Sequence, residues 1–174
     1  MGKTSLIFRF LNNLCPIEHL ATIEEEYSMK FKTENGEERD FKIIDIAGEE
    51  TNQNLMDEWI CNSQGFILVF AINEENSFEN IKFYIEKIKK NKSSDKYPII
   101  LVGNKCDLEN ERKVTKQNAE NYAKSIRASY YECSALKNEN GNCQLIFQEC
   151  ANKIIKIMND EDKKDSKCTK CSIF

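Results

Sequence analysis

The sequence predicts an α/β fold, a largely parallel sheet with helices on both faces. Three observations carry this. Continuous apolar runs occur at Phe66–Ile72 and Ile99–Val102, as strands buried on both faces require. Between the runs, apolar residues return every three or four positions, the period of a helix with one buried stripe. Three of the predicted strands also end in a polar cluster, the end at which open sheets of this class bind ligands.

The elements follow in order. Ile7, Phe10, Leu11 and Leu14 share one face of a first helix. Residues 28–34 and 40–46 read as two strands joined through Glu34-Asn35-Gly36-Glu37, because Asn-Gly tolerates the positive φ of a tight hairpin. The apolar run 66–72 is the next strand. Phe78, Ile81, Ile85 and Ile88 define a helix, and Ile99–Val102 a further buried strand. Ala119, Tyr122, Ala123 and Ile126 share a helical face, and Tyr130–Cys133 is a short strand. The last helix is the clearest: Cys143, Ile146, Phe147, Cys150, Ala151, Ile154, Ile155 and Met158 step by three and four without a break. The domain is therefore expected over 1–158, with 159–174 as a flexible tail.

Composition fits one globular domain of 174 residues, 40% hydrophobic and 31% charged. The formal charge of -4 lacks the basic footprint of a nucleic-acid binder. No apolar stretch approaches the ~18 residues of a membrane span, and MGKTSLIFRF lacks the layout of a secretory signal. A cytosolic chain is the simplest expectation. Eight cysteines with a single histidine, His19, form no metal-binding spacing. Cys61, Cys106, Cys133, Cys143 and Cys150 lie in or beside apolar segments and read as reduced, buried thiols.

Three motifs carry chemistry. Gly2-Lys3-Thr4 at a helix start, continued by Ser5, matches the end of a phosphate-binding loop: backbone N–H groups hold phosphate, Lys reaches the β/γ-phosphates, and the Thr hydroxyl ligates Mg²⁺. An exposed Lys beside a helix cap explains the same three residues. Asp45-x-x-Gly48 at a strand end suits a metal-side carboxylate, with a glycine N–H able to approach a γ-phosphate; a plain strand-to-loop turn is the bland alternative. Asn104-Lys105-x-Asp107 is the sharpest signal. The Asp107 carboxylate can accept from guanine N1–H and N2–H₂, a donor pair adenine lacks. Lys105 can lay its stem along the base, and Ser134-Ala135 can add a hydroxyl and a backbone N–H.

With GKTSL, TIEEEY, DIAGEE, VFAINEENSFENI, VGNKCDL and ECSA in this order, the sequence resembles the Ras-type small GTPases from Met1 to Met158. It lacks the block that Rho-type members insert after the NKxD region, and TIEEEY is closer to Ras and Rap than to Rab. The resemblance implies the three-layer P-loop GTPase fold and a GDP/GTP switch that uses Mg²⁺. It implies Thr4, Thr22 and Asp45 at the metal, Gly48 and Glu49 at the hydrolytic step, and Ile23, Glu24, Glu25, Glu26 and Tyr27 as the effector edge. Expected partners are guanine nucleotide, effectors, exchange factors and GTPase-activating proteins, with no nucleic acid, around a monomer.

Four departures from the family pattern bear on function. Relatives begin with a strand leading into a complete GxxxxGK[ST], whereas this sequence starts one residue before the second glycine. That strand would lie between those at 40–46 and 66–72. Its loss over ~5–6 residues, at about 1–3 kcal/mol per unpaired buried group, rivals a stability of roughly 5–15 kcal/mol. The expectation is an internal start in a longer protein, or else a product that folds poorly alone; the chain as it stands should bind nucleotide weakly or not at all. Glu49 replaces the water-orienting Gln; it accepts from water but donates nothing, which leaves the direction of its effect on hydrolysis open. Cys15 stands where the family stacks a Phe on the base, so nucleotide release should be faster. His19 replaces a usual Tyr, or is simply a solvent-exposed loop residue.

Cys171-Ser172-Ile173-Phe174 reads as a C-a-a-X signal for geranylgeranylation of Cys171. The lysines of 159–170 are offset by acids, so Cys168 palmitoylation is the expected second signal. This places the protein on the cytoplasmic face of the plasma membrane or endomembranes. Two other readings stand beside the GTPase: a nucleotide-free interaction module that keeps the effector edge and lipid tail, and a small-molecule P-loop kinase. Asn104-Lys105-Cys106-Asp107 disfavours the kinase, which needs no guanine reader.

Overall fold

The computed structural model describes residues 1–15, 24–32, 36, 38–46, 53–137, 142–162 and 171–173. Gly2, with φ 86, turns the chain into the first helix, α1, at Lys3–Asn12. Asn13 takes a left-handed φ of 54 and ends it. Leu14 therefore falls beyond the apolar stripe and is 67% exposed, against the expectation that it packs with Ile7.

β1 (Glu24–Lys32) and β2 (Glu38–Ile46) pair antiparallel. The expected hairpin is present, with β1 starting four residues before position 28; Gly36, at φ 83, has the conformation an Asn-Gly turn needs. α2 (Gln53–Asn62) had no counterpart in the sequence reading. Its buried stripe is only Met56, Trp59 and Ile60, too short to stand out by period. Then follow β3 (Phe66–Ala71), α3 (Glu75–Asn91), β4 (Ile99–Asn104), a 3₁₀ turn at Cys106–Glu111, α4 (Lys116–Ser125), β5 (Ser129–Glu132) and α5 (Asn142–Asp162). Thr115 caps α4 by accepting from the Asn118 N–H at 3.2 Å. α5 runs four residues past Met158, and Cys171–Ile173 forms a strand, β6, where a structureless tail was expected.

The described strands form two sheets. One has the order β1-β2-β6, with β6 parallel to β2; the other is parallel throughout, in the order β3-β4-β5. Helices cover both faces. Leu6, Ile7, Phe41, Ile43, Ile146, Phe147 and Ile154 share one core, beneath α1 and α5. Met56, Ile60, Phe66, Phe70, Phe78, Ile81 and Ile88 form the other, beneath α2 and α3. The three-layer α/β expectation thus holds. Among the described residues no strand pairs with both β2 and β3. Between them lies a cleft with about 730 Å³ of non-atom space, part of it open to solvent. Among the cysteines, Cys133, Cys143 and Cys150 are buried as expected, whereas Cys106 is only half-buried and Cys61 is exposed on the outer side of α2.

Candidate functional site

Three segments remote in sequence meet at the head of α1. Gly2 ends the approach to the helix, and a Cβ built on it would lie 2.7 Å from Asn104 Nδ2. Glycine is required there by both the left-handed backbone and the close approach. Asn104, 2% exposed at the end of β4, donates from Nδ2 to the Met1 carbonyl at 3.0 Å and toward that of Gly2 at 3.4 Å. Its Oδ1 accepts from the Ala135 N–H at 3.1 Å. One amide side chain therefore ties the Met1-Gly2 turn to the Ser134-Ala135 segment.

On the other side of α1, Thr4 Oγ1 donates to Asp45 Oδ2 at 2.5 Å. Asp45 is the last residue but one of β2 and is 2% exposed. Burial raises its pKa, and the Thr4 hydrogen bond and nearby Lys3 partly offset that. Burial likewise lowers the Lys3 pKa, opposed by Asp45. A half-buried hydroxyl on a buried carboxylate, beside a partly desolvated ammonium, is a hard-oxygen donor set of the type Mg²⁺ takes, next to a cation suited to phosphate. Ser5 follows in the same first turn, buried.

Lys105 adopts a left-handed backbone, φ 63 and ψ 34, uncommon for a lysine, and the chain turns there into the 3₁₀ segment that carries Asp107. The turn is anchored by the Cys106 N–H donating to the Cys133 carbonyl at 3.1 Å. Among the described residues no hydrogen bond or ion pair uses the Asp107 carboxylate. Ser134 and Ala135 are buried: Ser134 Oγ accepts from the Lys137 N–H at 3.0 Å, and the Ala135 N–H donates to Asn104 Oδ1 at 3.1 Å. In this arrangement both groups brace the loop and are not projected from it.

Sequence reasoning missed Arg9. From the polar side of α1 its Nε donates to the Ala135 carbonyl at 2.7 Å and its Nη2 to that of Leu136 at 2.6 Å. It also missed Arg112, which grips Glu132 at the end of β5 through Nη1 and Nη2 at 2.9 and 3.0 Å. Neither belongs to a motif; only a lone Arg inside a polar helical face marks the first. Thr22, Ile23, Gly48, Glu49 and Cys168 lie outside the described residues. Glu24, Glu25, Glu26 and Tyr27 open β1, the outer strand of its sheet. Glu25 and Glu26 are exposed, and the Tyr27 hydroxyl donates to Glu25. Cys171 begins β6.

The model of the Ras family matches residues 1–156. Ras-like protein rasB of Dictyostelium discoideum is 35% identical over 169 residues, 96% of this chain and 84% of that one. The GTP-binding protein Rheb homolog of the same organism is 32% identical over 156 residues, 90% of this chain and 83% of its own length. Ras-related protein R-Ras of Mus musculus is 36% identical over 135 residues, 78% and 62% of the two chains. A buried Asn joining a glycine helix start to the Ser-Ala loop, a Thr–Asp pair at the same helix head, and a family match over nine-tenths of the sequence agree: the chain belongs to the Ras family of small GTPases.

Proposed function

We propose that this chain binds GTP with Mg²⁺, hydrolyses it to GDP and acts as a switch read by effector proteins. The supporting observation is Asn104, whose buried side chain couples the Gly2 turn to the Ser134-Ala135 loop by hydrogen bonds on both sides. Gly2, Lys3, Thr4 and Ser5 would hold phosphates at the α1 N-terminus. Thr4 and Asp45, with Thr22 by family match, would hold Mg²⁺, which supplies charge neutralisation on the phosphates. Asp107 would read guanine and Lys105 would flank the base. Gly48 would hold the γ-phosphate and Glu49 would stand at the attacking water. Exchange factors and GTPase-activating proteins would set the cycle. Glu24, Glu25, Glu26 and Tyr27, with Ile23, would present the effector edge.

Membrane attachment extends the reading. Cys171, followed by Ser172-Ile173-Phe174, fits a prenylation signal, with Cys168 as a second lipid site on a cytoplasmic membrane face. Cys171→Ser should then move the protein to the soluble fraction, and Cys168→Ser should leave partial binding; fractionation of cells expressing each variant checks this.

Competition binding among GTP, XTP and ATP tests the base assignment. Asp107→Asn exchanges one acceptor oxygen for a donor and should weaken GTP by about 1–3 kcal/mol while improving XTP. An unchanged preference removes Asp107 from base reading. Thermal shift provides the binding test: GDP with Mg²⁺ at 100 times its Kd should stabilise by ~2.7 kcal/mol. A flat response at every concentration would favour the nucleotide-free interaction module.

A further inference from the structure

Two buried thiols meet beside the Ser134-Ala135 loop. Cys133 directly follows β5, and Cys143 is the second residue of α5. They are 2% and 0% exposed. Asn142 Nδ2 donates to the Glu132 carbonyl at 2.7 Å, which holds the residues just before the two cysteines side by side. Cys133 Sγ lies 3.8 Å from Asn104 Oδ1, and Cys143 Sγ 3.7 Å from the Ser134 carbonyl. The two thiols are also within hydrogen-bonding reach of each other. We propose that Cys133 and Cys143 are a redox site: they close into a reversible disulfide that latches the start of α5 to the end of β5 across the Ser134-Ala135 loop.

The two sulfurs are unequal. A hydrogen bond from Cys133, and then the Arg9 guanidinium, pull the Cys143 pKa down against its burial. The same hydrogen bond and burial push Cys133 up. Cys143, in the first turn of a helix and facing a cation, is therefore the nucleophile, and Cys133 the resolving thiol. A peroxide is an oxidant small enough to enter when that first turn frays. The Cys143 thiolate attacks one peroxide oxygen, the O–O bond breaks, and hydroxide leaves to become water. The sulfenic acid so formed is attacked by Cys133 sulfur; the S–O bond breaks, and the Cys133 proton leaves with the oxygen as a second water. Two thiols and one hydrogen peroxide give one disulfide and two waters. The bond ties the two ends of the stretch that contains Ser134 and Ala135, which removes open conformations of the loop. Cys106 is the nearest competitor, since its N–H donates to the Cys133 carbonyl at 3.1 Å. Burial raises its thiol, and it stands on the far side of Cys133 from no helix start of its own kind, in a 3₁₀ turn.

The experiment uses the full chain, treated with hydrogen peroxide, unfolded, alkylated with iodoacetamide and digested without reduction. Peptide mass with fragmentation should find the Cys133–Cys143 link about tenfold above any link to Cys106 or Cys150. Dithiothreitol should restore both thiols. A dominant Cys106 link, or Cys133 and Cys143 both recovered alkylated when the exposed Cys61 is already oxidised, overturns the site. A second measurement reads the latch. The Ala135 amide, bonded to Asn104 Oδ1, should exchange its hydrogen about tenfold more slowly in the oxidised chain. Cys143→Ala should show neither the link nor any effect of peroxide on that amide. Equal exchange in oxidised and reduced protein, with the disulfide present, overturns the latch. Slower release of bound GDP on oxidation rests in addition on the nucleotide reading above; a chain that binds no GDP refutes that reading alone, because mass and exchange are read without nucleotide.

Discussion

At the residue scale, two positions are fixed by local physics. Gly2→Ala places a Cβ 2.7 Å from Asn104 Nδ2 on a backbone at φ 86. The strain alone is about 1–2 kcal/mol, and the shift of Asn104 should loosen both loops it joins. Denaturant melts give the first, and nucleotide titration should show the larger loss. Cys150 is the second. Burial pushes its thiol up to about 12 from the ordinary 9.0. The folded chain keeps this proton after the unfolded chain has released it, so stability should fall as pH rises from about 9 toward about 12. Melts across that window should show a shallower slope for Cys150→Ala. Lys105, by contrast, was singled out in the sequence only as a base-side stem; its left-handed backbone has no signature in composition or period.

At the element scale, the sequence was readable where side chains alone set the pattern. α3 buries every residue its three-and-four spacing predicts and α5 all but Met158, which is half-buried, and β3 and β4 are the two unbroken apolar runs. What escaped depended on partners distant in sequence. α2 needs the packed neighbourhood of Met56 and Ile60 to be recognised, and β6 is only three residues long, defined by the edge it meets. The site divides the same way: Gly2, Thr4, Asp45 and Asn104 were visible as motifs, whereas the Arg9 clamp exists only once α1 lies beside residues 135 and 136. Arg9→Met should therefore cost about 1–3 kcal/mol and weaken base binding more than phosphate binding, which GDP and inorganic pyrophosphate titrations separate. Phe147 is a purely structural counterpart. It is 3% exposed and stacks on Phe10 at 4.2 Å between centroids, joining α5 to α1. Phe147→Ala should destabilise by about 3–5 kcal/mol, read by chemical denaturation.

At the scale of the whole molecule, two sheets share covering helices without sharing a strand among the described residues. Rigidity should be unequal: hydrogen exchange is expected slowest in β4, buried along its whole length and paired on both sides, and fastest at β6. The outer strand β1 has a different consequence, one of timing. Glu24, Glu25 and Glu26 open it in succession, on a chain of net charge -4. Fields from such a strip reach roughly 10 Å at 0.1 M salt and shrink as ions are added. A basic partner approaching this edge would be drawn in before contact, so its capture should slow by about tenfold or more when salt rises from about 0.05 to 0.5 M, while its residence time barely changes. Stopped-flow mixing at graded ionic strength measures both rates, and Glu25→Gln with Glu26→Gln should flatten the first and leave the second. The edge would then select its callers by how quickly they arrive more than by how tightly they hold.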